Sequence, residues 1–320
     1  MKVILILVVI LAGFTALTLW RAAQHVTAAE AAYPPTGQLI EVPVNGTPVR
    51  VHYVDLGPRA APPVVLIHGS SGNVRDWTFD MAERLSDRYR VLIFDRPGLG
   101  FTDIITPNTP IAAQANLLAD ATAALGAEQP IVVGHSFGGA VALAWATERP
   151  GNLSGLLVLA GASNEWSTGT GLYYTLLSNP ITGPIMANLI AAWVPDSTVE
   201  ASVASAFTPN AMPDGYPAHY GPDLILRPAS MFENARQRAS LLPQIQAMEP
   251  LYADIAVPTE ILHGDLDTTV PISVHSEPLS RQIPGANLVV LPGVGHMPHH
   301  IAPDQITAAI DRIATAADLR

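Results

Sequence analysis

Apolar and polar positions along the chain fall into two patterns that alternate. Leu39–Val44 and Val49–Asp55 alternate apolar and polar residues with the period of a half-buried strand, and Asn45-Gly46 between them is a hairpin turn. Pro63–Ile67, Val91–Phe94, Ile131–Val133 and Leu156–Leu159 are short apolar runs, as in strands buried on both faces. Helical spacing fills the intervals at Arg75–Leu85, Ile111–Leu125 and Ala140–Glu148. Strand, helix, strand, helix with short links predicts a parallel sheet with right-handed crossovers. Catalytic groups in such sheets gather outside the carboxyl ends of the strands. The loops expected there are His68-Gly69-Ser70-Ser71-Gly72, Asp95-Arg96-Pro97-Gly98-Leu99-Gly100, and the turn after Val133.

From Asn164 to about Tyr252 the alternation stops. This stretch is rich in Pro, Tyr, Trp, Met and Phe without a clear strand, and it predicts a mostly helical insertion over the sheet. Strand and helix resume at Thr259–His263, Ile272–Gln282 and Leu288–Leu291, and an amphipathic helix from about Pro303 to Ala317 closes the pattern. The expected organisation is an N-terminal segment at 1–20, a tether at 21–37, a core formed by 38–163 and 253–320, and a helical cap at 164–252.

Val3–Trp20 is apolar apart from Gly13, Thr15 and Thr18, with Lys2 before it and Arg21 after it. No polar face exists, so a buried core helix is a poor fit, and the length just suffices to cross a bilayer. The reading is an uncleaved membrane anchor, with the charge flanks placing the N-terminus inside and the enzyme outside. The alternative is a cleaved signal and a secreted or periplasmic protein. Its small-residue site, Ala29-Glu30-Ala31, lies far from the apolar run.

Composition narrows the function. The net charge of −11 gives no basic stripe for nucleic acid. With no cysteine, disulfides, thiolate catalysis and cysteine-ligated metals are excluded. The chemistry concentrates in Gly134-His135-Ser136-Phe137-Gly138-Gly139. It follows an apolar strand and precedes an Ala-rich helix, the strand–turn–helix setting of a nucleophile elbow. Gly134 and Gly138 give the tight turn room, and Ser136 is held at a helix N-terminus suited to developing negative charge. A serine hydroxyl needs a base within reach. Among ten histidines, His296 lies in a Gly-rich loop just after the last strand, free to swing toward the elbow. Asp265 and Asp267 both follow the penultimate strand and compete as the acid that orients it.

Five features in order carry a family resemblance: His68-Gly69, Asp95-Arg96-Pro97-Gly98-Leu99-Gly100, the Gly134–Gly138 elbow, His263-Gly264-Asp265-Leu266-Asp267, and Gly295-His296. From about Leu39 onward the chain resembles the α/β-hydrolase superfamily, in its capped serine esterase, C–C hydrolase and perhydrolase-like branch. The resemblance implies a mostly parallel eight-stranded sheet flanked by helices, with an inserted helical cap. It also implies a Ser136, Asp267, His296 triad. The second acidic position of the family pattern selects Asp267, leaving Asp265 to shape the loop. The implied oxyanion donors are the backbone N–H groups of Phe137 and Ser70, with Ser71 as fallback.

The expected activity is carboxylic-ester hydrolysis through an acyl-enzyme, on a small-molecule substrate of apolar character. C–C bond hydrolysis or cofactor-free perhydrolysis with the same triad is the alternative, and a binding protein that has lost catalysis is a further one. Resembling dehalogenases and epoxide hydrolases carry Asp at the elbow, unlike Ser136. No cofactor is implied. A metal at His296, His299 and His300 is disfavoured because no carboxylate lies in helical register and Pro298 breaks the turn. His68, His135, Asp95, Arg96 and Arg75-Asp76-Trp77 read as structural. Some of Tyr173, Tyr174, Trp193, Phe207 and Tyr216 are expected to line the pocket.

Overall fold

The computed structural model describes residues 1–169 and 171–319. Eight strands form one sheet: β1 (Gln38–Val44), β2 (Thr47–Leu56), β3 (Pro63–Ile67), β4 (Arg90–Phe94), β5 (Ile131–His135), β6 (Gly155–Leu159), β7 (Thr259–Gly264) and β8 (Asn287–Leu291). Their spatial order is β1-β2-β4-β3-β5-β6-β7-β8. β2 runs antiparallel to both of its neighbours, β1 and β4, and the remaining pairs are parallel. The chain leaves β3 in one direction to form β4, then returns past it to form β5. The reversal opens a crevice between the carboxyl ends of β3 and β5.

Strand residues alternate between two cores. Val64, Leu66, Val91, Ile93, Ile131 and Val133 pack with Trp77, Met81, Leu85, Ile306, Ile310 and Ile313 on one face. Val65, Ile67, Leu92, Phe94 and Val132 pack on the other, against the helices Ile111–Ala124 and Phe137–Glu148. Two covered faces explain why these strands read as continuous apolar runs. The helix expected over Arg75–Leu85 is two pieces, Arg75–Thr78 and Met81–Ser86, because Asp80 leaves helical geometry at φ −148°. The helix expected from Ile272 begins at Ser276, after a turn in which His275 N–H bonds to Pro271 O.

Between β6 and β7 the chain is helical among the described residues: Gly171–Ser178, Thr182–Trp193, Asp196–Ser205, Tyr216–Tyr220, Pro228–Ala239 and Leu241–Met248, with short 3₁₀ turns at Pro222–Leu224 and Glu249–Asp254. These helices share a cavity with the carboxyl ends of the strands.

One expectation is corrected. Residues 21–37 are not a loose tether: a single helix runs from Lys2 to Ala32. No Gly or Pro interrupts 21–32, and Ala, Glu and Gln sustain the helix until Pro34-Pro35. From Phe14 onward it docks on the insertion. Arg21 Nε donates to Ala192 O at 2.9 Å, Trp193 Nε1 to Thr18 Oγ1 at 3.0 Å, and Arg227 pairs with Glu30 at 2.8 Å. Phe14 stacks on Trp193 at 5.7 Å, and Ala22 and Ala29 are buried. Val3–Leu11 makes no such contacts and is exposed throughout.

Candidate active site

Ser136 sits between β5 and the helix Phe137–Glu148 at φ +54°, ψ −117°, a conformation costly for any side chain. The surrounding backbone enforces it. A Cβ on Gly134 would meet Gly138 O at 2.1 Å, and one on Gly138 would meet Ile67 O at 2.4 Å. Ser136 N–H bonds to Leu159 O at 2.9 Å, fixing the turn to β6.

β8 ends at Leu291, and the loop beyond it brings His296 Nε2 to 3.0 Å from Ser136 Oγ, which donates to it. His296 Nδ1 donates to Asp267 Oδ2 at 2.7 Å. Asp267, three residues past β7, is held on all sides. Its Oδ1 accepts from Thr269 N at 2.8 Å and Val270 N at 2.9 Å, and its Oδ2 also accepts from His263 Nε2 at 3.1 Å. Burial opposes its charge, but the bonds from His263 and His296 outweigh that and hold the carboxyl well below the usual range. All three residues are buried. Asp265 instead points outward, its Oδ1 accepting from Gly293 N at 2.7 Å, and so ties the two loops together.

Several groups that read as structural make buried hydrogen bonds beside these three residues. His68 Nε2 accepts from Arg96 N at 3.0 Å while its Nδ1 donates to Gly69 O at 2.9 Å. Burial, then the nearby Arg96, pushes His68 down to about 4, so it is neutral near pH 7. His135 Nε2 donates to His296 O at 2.8 Å, beside Ser136. Asp95 accepts from His52 Nδ1 at 2.6 Å and from Val74 N at 2.7 Å.

Ser70 lines the same cavity as Ser136, and Phe137 follows Ser136 in the chain. Phe137 opens its helix, so its N–H has no intrahelical acceptor. Ser71, the fallback donor, is engaged elsewhere: its N–H bonds to Asn234 Oδ1 at 2.9 Å.

Sequence reasoning missed a buried polar cluster against this site. Asp76 accepts from Tyr216 OH at 2.8 Å, His300 Nε2 at 2.8 Å and His299 Nε2 at 3.3 Å. Asp76, which reads as a simple helix start, is thus the carboxylate that the His299-His300 pair lacks in its own helix. Burial pushes His299 down to about 4, so its neutral ring donates from Nε2. Asp76, His135 and His299 offer ligand atoms within 4.8 Å of one another. Both Asp76 oxygens already accept hydrogen bonds, and the group reads as a hydrogen-bonded network. Only assembly could reveal it, since 223 positions separate Asp76 from His299.

A cavity of about 530 Å³ opens over Ser136 and His296. Its far wall carries Tyr173, Leu177, Ile190, Val194, Phe207 and Met231, all from the insertion. Of the five aromatic candidates, Tyr173, Tyr174, Phe207 and Tyr216 line it. Trp193 lies instead against the N-terminal helix.

A model described as the alpha/beta hydrolase family matches residues 64–309. The chain belongs to the alpha/beta hydrolase family. This hydrolase is 25% identical over 263 residues to an uncharacterised protein of Mycobacterium tuberculosis, spanning 79% of this chain and 75% of the relative. It is 28% identical over 278 residues to haloalkane dehalogenase 2 of the same organism, spanning 82% and 90%. Among solved structures it is similar to a thermophilic esterase from Thermogutta terrifontis, with a TM-score of 0.71 and 24% identity over 88% of this chain and 99% of that one.

Proposed function

We propose that this hydrolase cleaves carboxylic esters through an acyl-enzyme, with Ser136 as nucleophile, His296 as general base and Asp267 as the group that orients and stabilises His296. The observation that carries this reading is the unbroken relay Ser136 Oγ–His296 Nε2–Asp267 Oδ2, at 3.0 and 2.7 Å. In it His296 takes the serine proton as Ser136 attacks the carbonyl and returns it to the leaving alcohol. Water then attacks the acyl-enzyme with the same base. The oxyanion of each tetrahedral intermediate is received by the backbone N–H groups of Ser70 and Phe137, each worth about 3–4 kcal/mol in such sites. Serine at the elbow favours an acyl-enzyme over the aspartyl-ester chemistry of the resembling dehalogenases.

The apolar cavity wall suits an ester with a bulky apolar acyl group. The Lys2–Ala32 helix supports a membrane-anchored enzyme. Its exposed apolar run calls for lipid, whereas removing residues through Ala31 would strip the packed Ala22, Ala29 and Glu30 contacts from the insertion. The Lys2 and Arg21 flanks are taken to support placement of the catalytic domain outside the cytoplasm.

The test is burst kinetics on p-nitrophenyl esters from acetate to decanoate, with Ser136→Ala as control. Turnover that rises with chain length and vanishes in the control is expected. Silence across the panel from a folded protein would shift weight to C–C cleavage, a very narrow substrate or a non-catalytic role.

A further inference from the structure

We infer that Asn234, on the Pro228–Ala239 helix of the insertion, is a positioning residue for the oxyanion loop, so that the insertion completes the catalytic site as well as roofing it. This rests on the serine-hydrolase reading above.

The loop after β3 contains a residue in an unfavourable conformation. Ser71 has φ +55°, in the left-handed region that a non-glycine side chain enters only when its surroundings compel it. Here each of its polar groups is held from the insertion. Its N–H donates to Asn234 Oδ1 at 2.9 Å, its Oγ accepts from Asn234 Nδ2 at 3.0 Å, and its carbonyl accepts from Tyr220 OH at 2.7 Å. The two-point contact also fixes the amide of Asn234, because only its oxygen can accept the Ser71 N–H.

The rest of the loop is fixed from beneath. Buried Arg96 donates from Nε to His68 O at 3.1 Å and from Nη2 to Gly69 O at 3.0 Å. Arg96 Nη1 in turn donates to Gln237 Oε1 at 2.9 Å, and Gln237 Nε2 donates to Pro97 O at 2.8 Å. Asn234 and Gln237 are three residues apart and so share one helix face. One face of one insertion helix therefore grips the loop directly through Ser71 and indirectly through Arg96.

The consequence concerns Ser70. With His68 O, Gly69 O and the Ser71 N–H and carbonyl engaged, the Ser70 N–H has no acceptor among the described residues. It borders the cavity beside Ser136. An oxyanion donor is effective only if it is already aimed when charge develops. Asn234 supplies that aim without touching the reacting atoms.

The experiment uses the full chain in detergent, comparing wild type with Asn234→Ala, Asn234→Asp and Tyr220→Phe. Asn234→Asp keeps the shape and the acceptor for Ser71 N–H, and it guards against a poorly folding alanine variant. Four quantities are read: kcat, KM, inhibition by an alkyl boronic acid that forms a tetrahedral adduct on Ser136, and melting temperature. For Asn234→Ala we expect kcat to fall about 30-fold, KM to stay within threefold, and boronate affinity to fall in step with kcat. Tyr220→Phe should show a smaller loss of the same type. Because Asn234 also borders the cavity, a raised KM with unchanged kcat and boronate affinity would make it a mere wall residue and overturn the inference. Unchanged kcat and boronate affinity in the folded variants would do the same. A fluorophosphonate probe on wild type separates the two levels. Failure to label Ser136 sinks the serine-hydrolase reading and the inference together, whereas labelling with indifferent Asn234 variants sinks the inference alone.

Discussion

Asp267→Asn is the substitution whose outcome the structure constrains most tightly. The asparagine amide has two orientations. Oδ1 of Asp267 accepts from two backbone N–H groups, Thr269 and Val270, at 2.8 and 2.9 Å. Turning the amide nitrogen toward them would set donors against donors in a buried site, at about 1–3 kcal/mol for each unsatisfied group. The oxygen therefore stays, and the amide nitrogen takes the place of Oδ2, 2.7 Å from His296 Nδ1. His296 must then accept at Nδ1 and carry its proton on Nε2, which faces Ser136 Oγ at 3.0 Å. In that tautomer it cannot remove the serine proton, and the charge that stabilised the imidazolium is also gone. We expect kcat to fall by about 10³–10⁴-fold, or roughly 4–5 kcal/mol of barrier. The fold should survive. The amide also opposes His263 Nε2–H at 3.1 Å, but that proton keeps Val270 O at 2.7 Å as its acceptor. Stability should therefore drop by only about 1–2 kcal/mol, a few degrees of melting temperature. Steady-state p-nitrophenyl ester hydrolysis and a thermal melt on one preparation test both halves. A folded variant retaining more than about a tenth of wild-type kcat would refute the tautomer argument.

Asp265→Ala provides the contrast: it loses one exposed loop bond to Gly293 N, and kcat should stay within about threefold of wild type in the same assay. Gly134→Ala drives a Cβ to 2.1 Å from a backbone oxygen that cannot yield, and urea unfolding should show a loss of about 3 kcal/mol or no soluble protein. Acid should destabilise the enzyme above the range where most carboxylates titrate. His68 and His299 are each pushed from 6.5 to about 4, mainly by burial, so between these values the unfolded chain binds more protons than the folded one. Stability is thus full above about pH 6.5 and lost as pH falls toward 4, by up to about 3 kcal/mol per histidine. Urea midpoints across pH 7 to 4 check the sign, and a flat profile would mean that these rings are not held neutral.

Much of this protein is written in local pattern. Continuous apolar runs marked the strands because a sheet covered on both faces needs no polar side. Gly134 and Gly138 announced the elbow because only glycine tolerates backbone oxygens so close to Cα. His296 and the pair Asp265 and Asp267 were legible as candidates because each follows a strand that ends at the same edge of the sheet, and only the family resemblance singled out Asp267. The break at Asn164 located the insertion, and the Val3–Trp20 run located the apolar helix.

What the sequence could not rank were contacts between segments far apart in the chain. Asp76 reads as a helix-start acid until folding seats it against Tyr216, His299 and His300. Asn234 is one polar residue among many on an amphipathic helix until the insertion closes on Ser71. The segment after Arg21 reads as a linker because its small alanines give no strong signal, yet small side chains are what let that helix approach the insertion closely. The local chain thus determined the strands, the elbow and the order of the candidate catalytic groups, since turn sterics and burial periodicity act over a few residues. Tertiary structure alone decided which polar groups meet, because a buried hydrogen bond is satisfied by proximity in space and leaves no periodic trace along the chain.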